Sequence, residues 1–262
     1  MRRFVLALAL VLAACVGETT EPPPDLDTPL LQVRYEGGLA PAQFFLTQGP
    51  AFTLTRDGKL ISPGAVPAIF PGPMVTPYFS SQVTPGELSQ IQDMIEAIGL
   101  PDMVREMDDD AIATVFDAHT TVVTYWDENG AHTYSVYALG IAEPQREESR
   151  RLQEMITVLE TLAGRSSVEW VGDQVQLVAI PGAIDPELFE EAEEWPLDET
   201  VDTWDEIASM RCAVLDASVF EAFAGANQAT TFPSSDPTWA EVFRLVVRPL
   251  HPGETGCQVP GA

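Results

Sequence analysis

Basic side chains are scarce in this sequence. Thirteen Lys+Arg stand against forty Asp+Glu, a formal net charge of −27 over 262 residues, and Lys59 is the one lysine. A nucleic-acid binder needs a basic face to neutralise phosphates, and this composition cannot build one. A polybasic membrane-surface protein is excluded on the same ground. Histidine is equally sparse: His119, His132 and His251, none four residues from another, and no His-Glu-x-x-His, so the common zinc-hydrolase motif is missing. There is no Gly-x-Ser-x-Gly elbow, no Ser-x-x-Lys, no phosphate-cradling Gly-x4-Gly-Lys-Ser/Thr loop and no Cys-x-x-Cys pair. Hydrophobic residues still make up 45% of the chain, too many for an acidic disordered tail and enough for a sizeable core.

Long hydrophobic runs are absent as well. The longest early run, Phe4 to Leu12, rises about 14 Å as a helix, roughly half a bilayer core. Preceded by Arg2-Arg3, it has the dimensions of a secretory signal segment instead. Its end, Leu12-Ala13-Ala14-Cys15, resembles the lipobox of bacterial lipoproteins. That resemblance implies cleavage before Cys15, lipidation of its thiol, and residence on the outer face of the cytoplasmic membrane. Removing residues 1–14 takes two arginines away, so the charge moves from −27 to −29. Residues 15–29 then read as an acidic tether stiffened by Pro22-Pro23-Pro24. The expected membrane contact is through the lipid alone.

The body reads as α+β, a mainly antiparallel sheet built from hairpin–helix units with the helices on one face. Strands are expected over Leu30–Tyr35 and Gln43–Thr47. A hairpin is expected across Asp57-Gly58, a strong turn signal. Thr84-Pro85-Gly86-Glu87 has the form of a capping box opening a helix with Leu88, Ile91, Ile95 and Ile98 on one stripe. A second hairpin, Thr120–Trp126 with His132–Leu139, precedes a second helix bearing Leu152, Met155, Ile156, Leu159 and Leu162. The order strand–turn–strand–helix therefore occurs twice, as either a duplication or two ordinary α+β units side by side would leave it, and sequence identity between the two copies is slight. Two regions follow from this reading, 30–165 and 166–262. The second carries strands over Gln174–Ile180, Arg211–Leu215 and Glu241–Arg248, an acidic helix from Asp185, and a helix with Val219, Phe220 and Phe223.

Val33-Arg34-Tyr35-Glu36-Gly37-Gly38, Ile69-Phe70-Pro71-Gly72-Pro73, Ser135 to Gly140, Arg211-Cys212, Ala226-Asn227-Gln228 and Arg248-Pro249-Leu250 are similar to segments of an uncharacterised lipoprotein family of high-GC Gram-positive bacteria. The resemblance implies a cell-surface location and no particular activity.

Lipidation of Cys15 would leave two cysteines, Cys212 and Cys257. In an oxidising compartment an even pair reads as a structural disulfide, worth about 4 kcal/mol by chain entropy for a loop of this length. Asp108-Asp109-Asp110 is the densest acidic cluster in an expected loop, and clustered carboxylates are the chemistry of Ca²⁺. The alternating spacing of a calcium loop is missing, however, so a solvated loop is the better reading and no cofactor is expected. Tyr35, Tyr78, Tyr125, Trp126 and Trp239 could stack sugars, although aromatics at strand positions more often pack. The leading expectation is a non-enzymatic binding or accessory module of the cell envelope, with an envelope protein as its possible partner. A tethered hydrolase using acidic residues and a cation-stabilised structural protein are the alternatives.

Overall fold

The structure is a computed structural model that describes residues 28–38, 46–65, 71–102, 115–141, 146–165, 167–182 and 192–258. Two antiparallel sheets and the helices packed on them make an α+β fold, as the sequence pattern implies. The first sheet has seven strands. In chain order they are β1 (Pro29–Glu36), β2 (Phe52–Thr55), β3 (Lys59–Pro63), β4 (Tyr78–Gln82), β5 (Thr120–Asp127), β6 (Gly130–Tyr137) and β7 (Val168–Trp170). Their spatial order is β6-β5-β1-β2-β3-β4-β7, so the two expected hairpins flank β1 on either side.

Alternation along β1 decides what covers each face. Leu31 and Val33 point into a core shared with Phe52, Leu54, Leu60 and Val123. Helix α1 (Pro85–Ile98) closes that core with Ile91, Ile95 and Ile98, and α2 (Glu147–Ala163) with Leu152, Met155, Ile156, Leu159 and Leu162. The intervening residues Gln32 and Arg34, with Thr53 on β2, are polar and belong to the opposite face. Those polar side chains receive the C-terminal tail.

The second sheet has the order β11-β12-β8-β10-β9, formed by β8 (Gln174–Pro181), β9 (Asp205–Ile207), β10 (Met210–Asp216), β11 (Thr231–Pro233) and β12 (Val242–Pro249). One of its faces buries Val175, Leu177, Leu245 and Val247 with Phe223, Phe232, Phe243 and Trp204. Trp195 stands among four of these rings, with centroids 5.2 to 5.9 Å away. The other face presents Val178, Ile180 and Cys212 to Leu46. Cys212 on β10 is disulfide-bonded to Cys257, with Cα atoms 5.6 Å apart.

Several sequence expectations need correction. Leu46 and Thr47 are helical, so the strand expected over Gln43–Thr47 does not form in its described part; residues 43–45 lie outside the described residues. The Val219–Phe223 segment is a 3-10 helix, Ala217–Phe223, capped by Asp216 through the Ser218 amide. The acidic helix from Asp185 falls mostly outside the described residues, and its expected end near Trp195-Pro196 has no regular structure. β7 joins the first sheet by pairing with β4, so that sheet runs past residue 165. Among the described residues, no helix is long and apolar enough to cross a membrane.

The capping box at α1 forms in full. The Thr84 hydroxyl accepts from the Glu87 amide at 3.3 Å, and Glu87 accepts from the Thr84 amide at 2.8 Å. Thr84→Ala should therefore cost about 1 kcal/mol in a urea unfolding titration. A loss below a few tenths would mean that packing alone holds this helix end.

Candidate functional site

Two grooves among the described residues are lined by chemistry-bearing side chains, and they differ in what their charges are free to do. The first lies between the sheets. After β12 the chain turns at His251-Pro252-Gly253-Glu254, with the Glu254 amide donating to the His251 carbonyl at 3.0 Å. Pro-Gly at the centre suits a type II turn, and Gly253 has φ +83°. A Cβ there would also come within 2.8 Å of Pro29 Cγ, so the turn is pressed against the start of β1.

The turn delivers Glu254 to two arginines. Arg248 donates to its carboxylate at 2.9 and 3.2 Å, Arg34 of β1 forms a further ion pair, and the His251 backbone amide donates at 2.8 Å. The side chains of Glu254 and Arg248 are 4% and 5% exposed. Burial by itself would raise the Glu254 pKa, but Arg248 and Arg34 outweigh it and hold the carboxyl below the usual range. Gln176 on β8 accepts from Arg248 at 3.3 Å and from the Cys257 amide at 2.8 Å. One carboxylate thus ties β1 of the first sheet and β12 of the second to the disulfide-held tail.

His251 sits in the same layer. Its Nδ1 is 2.9 Å from the Thr53 hydroxyl, and the ring packs edge-on against Tyr78 and Trp170, with centroids 4.4 and 5.0 Å away. A groove of about 630 Å³ runs beside it, lined also by Lys59, Asp173 and Gln174. A histidine and an acid in one groove invite an acid–base reading, but the arrangement opposes it. Burial drives the His251 pKa down from 6.5 to about 3, and Nε2 has no hydrogen-bond partner among the described residues to stabilise an imidazolium. An imidazole that weak is a poor base near neutrality, and the Glu254 carboxylate is already committed to its arginines.

The second place is a cleft of about 550 Å³ where the C-terminal end of α2 overhangs the first sheet. Tyr35, Phe52 and Phe79 supply aromatic walls, and Ala51, Ala163 and Gly164 leave the space open. Ser62 and Phe79 are register partners on β3 and β4, which places both on the helix face. Gly64 is required beside them: a Cβ there would sit 2.3 Å from the Phe79 ring. Tyr35 is 38% exposed, and its ring meets His119 edge-on with centroids 4.9 Å apart. Burial and then the Glu160 charge raise the Tyr35 pKa. Arg165 also lines the cleft but is ion-paired with Glu87 of α1.

Of the residues singled out in the sequence, Cys212 and Cys257 are joined, while Cys15 and Asp108-Asp109-Asp110 lie outside the described residues. Among the described residues, no group of three or more His, Cys, Asp or Glu is placed to hold a metal ion. The five aromatic candidates are dispersed. Tyr35 lines the cleft, Tyr78 is buried against His251, and Trp239 packs on Arg211, whose guanidinium carbon is 4.6 Å from its ring centre. The Glu254 cluster was missed, because no spacing rule connects positions 34, 176, 248 and 254. Comparison with family models, curated proteins and solved structures gives no match to this chain.

Removing the shared carboxylate should be severe, since it leaves the buried Arg248 and the half-buried Arg34 without a counter-charge. Glu254→Ala is expected to cost about 3–5 kcal/mol in chemical denaturation. A cost under 1 kcal/mol would show that the ion pairs contribute little.

Acid should act through His251 in the same direction. Its folded pKa lies below the unfolded 6.5, so its contribution is fully present above about pH 6.5 and is lost as pH falls toward 3. Over that window the wild type should lose about 1.4 kcal/mol per pH unit more than His251→Gln. Parallel stability curves between pH 6 and 4.5 would contradict this.

Proposed function

We propose that this chain is a cell-envelope lipoprotein, a non-enzymatic binding module held outside the cytoplasmic membrane by lipid at Cys15. The observation that carries the binding reading is the aromatic cleft at Tyr35, Phe52 and Phe79. Its volume is in the range of sites that enclose small ligands, and its walls are mostly apolar with a few polar groups. The charges between the sheets, in contrast, are consumed in holding the fold.

Three further features favour this reading. The Leu12-Ala13-Ala14-Cys15 sequence resembles a lipobox. The Cys212–Cys257 disulfide suits an oxidising compartment. The tether would join the fold at Pro29, whereas Tyr35 lies six residues along β1, about 20 Å away at strand rise. The tether's entry into the fold and the cleft then sit at opposite ends of one strand.

Location and binding are tested separately. Cys15→Ala should abolish lipid labelling and shift the protein out of the membrane fraction or leave it unprocessed. Unchanged labelling and retention would overturn the anchor. For binding, small aromatic compounds should raise Tm in the full chain and lose that effect in Ser167→Trp, which places an indole at an exposed position of the cleft lining. Equal shifts in both proteins would place binding elsewhere.

A further inference from the structure

We propose that the ligand of the Tyr35–Phe52–Phe79 cleft is an organic cation, a protonated or quaternary amine carrying a flat apolar group. This inference rests on the binding reading above and specifies the chemistry of the same site. The shape of the cleft asks for an apolar body, and the charge around it asks for a positive head.

The charged groups facing the cleft do not cancel. Arg165 is the cation of the lining, and its guanidinium is engaged by Glu87 from α1. Glu160 lines the cleft from α2, is exposed, and makes no ion pair among the described residues, yet it is close enough to Tyr35 to raise the phenol pKa. A second carboxylate comes from the edge strand. Glu169 on β7 is not itself in the lining, but it is the register partner of Phe79 on β4, and paired residues share a face of the sheet, so it stands on the helix face next to a residue of the cleft wall. Glu169 is exposed and likewise makes no ion pair among the described residues. Two carboxylates therefore remain unanswered beside an arginine that is already neutralised.

Aromatic walls complete the argument. The faces of Tyr and Phe rings carry partial negative charge and attract ammonium groups, an interaction that strengthens as water is excluded. An anionic ligand would meet the opposite: like charges at Glu160 and Glu169 and an overall charge of −27. The long-range field of so acidic a chain concentrates cations at its surface and repels anions before either reaches the cleft. A neutral aromatic compound could use the walls but would gain nothing from Glu160 or Glu169.

The test uses the full chain in nonionic detergent with three probes of similar size: benzyltrimethylammonium, benzyl alcohol and benzenesulfonate. Binding is followed by ligand-observed NMR and calorimetry at low salt. Benzyltrimethylammonium should bind at least tenfold more tightly than benzyl alcohol, and benzenesulfonate should be the weakest. Glu160→Gln should weaken the cation about tenfold and leave benzyl alcohol unchanged. Because Glu160 is exposed, this variant keeps its fold, and Glu169→Gln gives an independent second reading. Raising the salt should weaken the cation selectively. Equal binding of cation and alcohol, preference for the sulfonate, or cation affinity indifferent to both substitutions would overturn the organic-cation assignment while the cleft stood as a binding site. Failure of all three probes to bind would overturn the cleft as a small-ligand site, and this assignment with it.

Discussion

The Glu254 carboxylate is the point on which the arrangement of the two sheets depends. Arg34 reaches it from β1, Arg248 from β12, and the His251 amide from the turn that carries it. Taking three charges out of water costs several kcal/mol each, which close pairing offsets only when the hydrogen bonds are nearly complete. Here the carboxylate has its acceptors filled, and Gln176 serves both Arg248 and the amide of Cys257. An apolar replacement of equal volume could be as stable, but it would not fix one orientation. Hydrophobic contacts allow the sheets to slide, whereas two arginines converging on one carboxylate set a single relation between β1 and β12. The disulfide reinforces this by holding the tail to β10 from its other end.

That constraint explains the division of labour across the first sheet. Its inner face toward the second sheet is polar along β1 and β2, where it receives the clasp, so Leu31, Val33, Phe52 and Leu54 on those two strands are turned toward α1 and α2. The two helices cover most of that face but α2 ends at Ala163, before the Tyr35 end of β1 is fully roofed. The aromatic cleft is the consequence of that shortfall. Gly64 keeps the Phe79 ring accessible to it, and the small Ala163 and Gly164 stop the helix end from filling it.

Local signals made much of this legible in advance. Asp57-Gly58 marks the first hairpin, Thr84 and Glu87 mark the start of α1, and the isoleucine stripe marks its buried side. The cysteine pair is readable from compartment and number. Short strands were not legible: Val168–Trp170 and Asp205–Ile207 are three residues each, with little alternation to detect, and their pairing is decided by partners elsewhere in the chain. Tyr78–Gln82 failed for another reason, since a Ser-Ser centre masks the strand pattern. The clasp was hidden because Arg34, Gln176, Arg248 and Glu254 meet only through topology. The cleft was half visible. Tyr35 stood out as an aromatic, but Glu169 acquires its position solely from the β4–β7 register.

The scarcity of basic residues has a structural meaning beyond net charge. Arg34 and Arg248 are spent between the sheets, Arg211 is held by Asp202 at 2.6 Å and Asp236 at 2.8 Å, and Arg150 and Arg151 are paired with Glu147 along α2. Arg56 donates to the Trp126 carbonyl at 2.7 Å, which ties the β2–β3 turn to the tip of the β5–β6 hairpin. With so many bases committed to internal tasks, the exposed carboxylates set the character of the surface. A fold that spends its few cations on its own cohesion leaves negative ground at any cleft it happens to open. The cleft beside Tyr35 inherits that field, with Arg165 neutralised by Glu87 and nothing equivalent opposite Glu160 among the described residues.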